Sequence, residues 1–71
     1  MDTMGHKLMV ARHDARLTQG ELADKAGLSR QAISDIERGE RTDVKLSTIR
    51  SLCDVLGMRP SELIETTEVE A

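Results

Sequence analysis

The residues best equipped for chemistry in this 71-residue chain form one run, Arg30-Gln31-Ala32-Ile33-Ser34-Asp35-Ile36-Glu37-Arg38. A forked guanidinium, an amide that both donates and accepts, a methyl, a hydroxyl and a carboxylate follow one another there. Ile33 and Ile36, three residues apart, turn inward, so Arg30, Gln31, Ser34, Asp35 and Arg38 share the outward face of a helix. That face is polar without being uniformly charged, which suits hydrogen-bonded recognition better than bond-breaking. No nucleophile–base pair presents itself elsewhere, and an enzyme is not expected. His6 and His13 can share a helix face, but two imidazoles without cysteine or paired-carboxylate spacing make a poor metal site. They are expected at the surface, with no metal and no cofactor. Cys53 falls on an apolar stripe and reads as a buried, inert thiol.

A set of short helices must position that run. A first helix over about 5–15 carries Leu8, Ala11, Arg12 and Ala15 on one side at three- and four-residue spacing. Thr18-Gln-Gly-Glu21 is a capping box that opens a second helix, which buries Leu22, Ala23 and Ala26 and stops at Gly27. Ser29 caps the third, over 30–38. A fourth over about 46–56 places Leu46, Ile49, Leu52, Cys53 and Leu56 on one stripe. Pro60 suits the first position of a short fifth helix over about 60–65. Gly27, Gly39 and Gly57 each follow a helical stretch and read as stops. The expected fold class is all-α, one domain over 1–64, with an acidic, disordered tail over 65–71.

At this length there is room for one core only. The chain has no Phe, Tyr or Trp, so no base can stack on an aromatic ring, which argues against RNA-recognition and oligonucleotide-binding modules. One cysteine cannot close an internal disulfide, which favours the cytoplasm. There is no apolar run of about 18 residues and no signal-peptide stretch at the start, so neither insertion nor export is expected. The net charge is −3. Residues 1–50 nevertheless hold nine Lys and Arg against eight Asp and Glu, while 51–71 hold one against five. Any basic surface must therefore be a patch.

Over residues 19–38, two short helices meet across a tight turn, with small Ala23 inside the first and Gly27 between them. A helix pair crossing at about 90–120° requires both features, and this is a helix-turn-helix. The stretch LTQGELADKAGLSRQAISDIERGER, with Gln19, Leu22-Ala23, Gly27, Ser29, Ile33, Ile36, Glu37 and Gly39 in register, resembles the phage repressor/Cro-like helix-turn-helix family, often termed XRE-type. The resemblance covers about residues 5–64, including Arg12 and LSTIRSLCDVLGMRPSEL.

The resemblance implies a five-helix repressor-like domain whose third helix enters the DNA major groove, commonly as a homodimer on a pseudo-palindromic operator. It implies base contacts from Arg30, Gln31, Ala32, Ser34 and Asp35. The side-chain chemistry agrees: Arg30 matches guanine O6 and N7, Gln31 matches adenine N6 and N7, and the Ala32 methyl matches a thymine methyl. Asp35 either accepts from a cytosine amine or faces solvent and orients Arg30 or Arg38. Phosphate contacts are expected from Thr18, Gln19 and Ser29 at the helix starts, where free amides and the helix dipole favour anions. Further ones are expected from Arg38, Arg41 and Lys45, for which a solvated loop is the alternative. Gly20 reflects either close approach of a phosphate or drift. The family pattern pairs Arg12 with Glu37 as a partly buried ion pair. The Glu40–Lys45 connection is longer than the common pattern and resembles that of helix-turn-helix antitoxins.

The function expected on these grounds is a sequence-specific DNA-binding transcriptional regulator, a repressor without an effector domain. Two alternatives stand beside it: an antitoxin-type autoregulator with a toxin partner protein, and an interaction module that has lost DNA binding.

Overall fold

The structure, a computed structural model, describes residues 3–64. Its elements are α1 (Met4–Asp14), α2 (Gln19–Ala26), α3 (Arg30–Glu37), α4 (Leu46–Leu56) and α5 (Pro60–Leu63). The described regular structure is all helical. Residues 65–71, read above as a tail, lie outside the described residues.

Side-chain caps fix where the first three helices begin. Thr3, Thr18 and Ser29 each accept from the amide three residues on, at 3.0–3.1 Å. At Thr18 the box is reciprocal, since the Glu21 carboxylate accepts from the Thr18 amide at 2.9 Å. Pro60 starts α5, its first helical position needing no N–H. The ends are as regular. After α2, Leu28 N donates to Ala23 O at 2.8 Å while Gly27 takes φ +74°, the left-handed closure that a residue without Cβ adopts freely.

The core is aliphatic: Leu8, Leu22, Ala23, Ile33, Ile36, Ile49, Leu52, Cys53 and Leu63 are buried. Each helix contributes to it, and Ala23 lets α2 and α3 approach closely. Three expectations need correction. Leu46 is 52% exposed instead of inward. It is the first residue of α4, where the Cα–Cβ bond tilts toward the helix N-terminus and away from the following turns. Ala15 is exposed because α1 ends at Asp14 and Ala15 is its cap. The fifth helix stops at Leu63, where Ile64 turns extended (φ −94°, ψ 139°). Among the described residues, no helix is long and apolar enough to cross a membrane.

Candidate nucleic-acid interface

α3 presents eight residues, about 12 Å of helix, whose inner face is anchored by fully buried Ile33 and Ile36. Arg30 and Gln31 are exposed, and Ala32, Ser34 and Asp35 are half-buried along the same outward side. The polar groups here are ordered. Gln31 Nε2 donates to Asp35 Oδ1 at 2.9 Å, and Arg38 Nη2 donates to the same oxygen at 3.2 Å. Asp35 is thus the acceptor that orients Gln31 and Arg38. Those bonds, the one from Gln31 foremost, hold its carboxyl below the usual carboxylate range. The bond to Asp35 takes one N–H of the Gln31 amide; its oxygen and other N–H are an acceptor and a donor, the types that the N7 and N6 edge of adenine requires.

Beneath this face, Glu37 ties three helices together. Arg12 Nε and Nη2 donate to its two oxygens at 2.6 and 3.0 Å, a bidentate pair whose side chains are only 10% and 5% exposed. The third Arg12 nitrogen, Nη1, donates to Leu17 O at 2.9 Å and fixes the chain between α1 and α2. The Glu37 bond is the first cause of a raised Arg12 pKa, which burial opposes, and the guanidinium stays charged. Gln19 Nε2 also donates to Glu37 Oε1, at 3.0 Å. That leaves Gln19 its backbone amide and one side-chain N–H for any anion, so it serves the interhelical network as well as the α2 start.

The remaining residues expected at phosphates fall into two groups around α3. Thr18 and Gln19 line a groove at the start of α2, together with Arg30. Arg41 and Lys45 line another on the opposite flank, beside Ala32 of α3. Ser29 sits exposed at the α3 cap, its hydroxyl oxygen accepting from Ala32 N. Arg38 differs from the others: it is 54% exposed but already engages Asp35 and, at 3.4 Å, Glu40.

Sequence reasoning missed two positions that shape this surface. A Cβ at Gly5 would lie 2.3 Å from Ile36 O and 2.8 Å from Glu37 O, so only glycine lets α1 abut the end of α3. No local signal marks it, because the contact is made by a distant segment. Arg16 carries no mark in the sequence, since a left-handed helix stop usually announces itself with glycine. It nevertheless takes φ +61° and closes α1, with Leu17 N donating to Arg12 O at 3.1 Å. Among the described residues, no group of three or more His, Cys, Asp and Glu side chains is placed to hold a metal ion. Cys53 is buried and its thiol is pushed up by that burial first and by nearby Asp54 and Glu62 next.

Comparison with known proteins agrees with this geometry. A family model described as a helix-turn-helix domain matches residues 3–66. The immunity repressor protein of Bacillus phage phi105 is 39% identical over 62 residues, which are 87% of this chain and 42% of that protein. The control protein C.BamHI of Bacillus amyloliquefaciens is 38% identical over 55 residues, 78% of this chain and 67% of that protein. The chain thus spans about two-fifths of the length of the phage relative. Among solved structures, the P22 c2 repressor in complex with a synthetic operator superposes with a TM-score of 0.85 at 28% identity, covering 92% of this chain and 97% of that one. Fold, motif and relatives converge: the chain belongs to the helix-turn-helix domain family, of the phage-repressor or XRE type.

Proposed function

We propose that this protein is a cytoplasmic, non-enzymatic transcriptional regulator, a repressor, that binds operator DNA as a homodimer and reads the major groove with α3. The observation that carries the reading is the ordered outward face of α3, where Asp35 orients both Gln31 and Arg38 on a helix that Ile33 and Ile36 hold from below. A helix of about 10–12 Å diameter fits a major groove about 12 Å wide. Arg30, Gln31, Ala32, Ser34 and Asp35 then face base edges. Thr18, Gln19 and Ser29 on one side, and Arg38, Arg41 and Lys45 on the other, meet the two phosphate backbones. The relatives named as repressors and the repressor bound to operator support the reading. A dimer explains how an eight-residue helix achieves specificity, since two copies about 34–36 Å apart double the bases read.

Selection from a pool of random duplexes at two salt concentrations tests it. Enrichment of a two-fold motif, with affinity falling steeply as salt rises, is the expected result. Failure to retain DNA at low salt would contradict it and favour the protein-interaction module. A toxin-coupled antitoxin would also enrich such a motif, and co-purification of a second chain distinguishes it.

A further inference from the structure

Two residues sit where their type is locally unfavourable, and both line one groove. Arg16 occupies the left-handed region, φ +61°, which an L side chain rarely adopts. Gly20 lies in the first turn of α2, where a Cβ would meet nothing nearer than Arg30 Cδ at 3.9 Å and Thr18 Oγ1 at 4.0 Å. Internal packing therefore does not require glycine there. The groove they share, about 600 Å³ and open to solvent, has Arg16 and Arg30 among its lining residues. Arg12 is neutralised by Glu37, and Arg38 engages Asp35 and Glu40. Among the described residues, neither the Arg16 nor the Arg30 guanidinium has such a partner. Two uncompensated guanidinium groups thus line an open groove in which Gly20 contributes no side chain.

We infer that Arg16 is a DNA-backbone contact of its own, binding a phosphate that lies over Gly20 while Arg30 keeps the groove positive. This rests on the proposed DNA reading and extends it to the end of α1. The left-handed backbone is what aims the side chain: a right-handed residue at 16 would continue α1 and turn it away from α2. An arginine here loses local stability and gains an anion, while a residue serving only to end the helix would be better as glycine.

The test compares four proteins on the selected duplex across a salt series: wild type, Arg16→Gly, Arg16→Lys and Arg50→Ala. Arg16→Gly suits the left-handed backbone and should melt no lower than wild type. It should nevertheless bind roughly five- to tenfold more weakly at about 0.1 M salt and lower the slope of log K against log salt by about one. Arg16→Lys should recover most of the slope. Arg50→Ala removes an equal charge from α4, outside the groove, and should leave the slope unchanged. An Arg16→Gly protein with wild-type slope and affinity, or one weakened no more than Arg50→Ala, would overturn the inference and leave the DNA reading standing. A wild-type protein that retains no duplex would overturn both.

Discussion

Two side chains carry most of the residue-scale account, Glu37 and Asp35. Removing one partner of a buried ion pair costs about 3–5 kcal/mol, because the other charge is stranded. Domains of this size have on the order of 4–10 kcal/mol in total. Arg12→Ala should therefore leave the chain only marginally folded, and urea melts of the single and double variants should show strong coupling between positions 12 and 37. Additive effects would contradict the bidentate contact. Asp35 makes a pH prediction. Its carboxyl is lowered from 3.8 first by the Gln31 bond, so the charged form is favoured in the folded state. Its contribution is fully present above that value and is lost as pH falls through the lowered one. Between pH 5 and 8 the orientation of Gln31 should not change, and a carboxyl titration followed by NMR with a midpoint above 3.8 would show that the bonds do not form.

At the scale of elements, the two glycines of the first two helices behave oppositely. Gly5→Ala drives a Cβ into the backbone carbonyl of Ile36, and overpacking of this kind costs about 1–3 kcal/mol. Gly20→Ala makes only ordinary van der Waals contact, with Arg30 Cδ and Thr18 Oγ1, and should stabilise by about 0.5–1 kcal/mol while weakening DNA binding. Thermal melts of both variants check the signs. These positions also show what was legible in advance. The capping box at Thr18, the cap at Ser29 and the stop at Gly27 are written in local residue chemistry, and the helices follow them closely. The apolar spacing of Ile33 and Ile36 located the polar face of α3. The inward placement of Leu46 failed because periodicity ignores the tilt of side chains at a helix start. Gly5 was illegible because its partner lies over thirty residues away, and Arg16 because the left-handed stop there is made without the residue that usually marks it. The hydrogen bond from Gln31 to Asp35 required the rotamers, which spacing does not supply.

On the scale of the whole molecule, a chain of net charge −3 is read as binding a polyanion. Arg16 and Arg30 line one groove at the start of α2, and Arg41 and Lys45, together with Asp43, line another beside α3. Association should consequently be more salt-sensitive than the net charge suggests. Duplex selection by wild type and by Gln31→Ala under identical salt shows whether α3 reads sequence. We predict that both enrich a two-fold motif, that Gln31→Ala loses preference at one or two base pairs in each half-site, and that its affinity for the wild-type site drops by about 1–3 kcal/mol. Identical motifs selected by the two proteins would show that Gln31 on α3 reads no base.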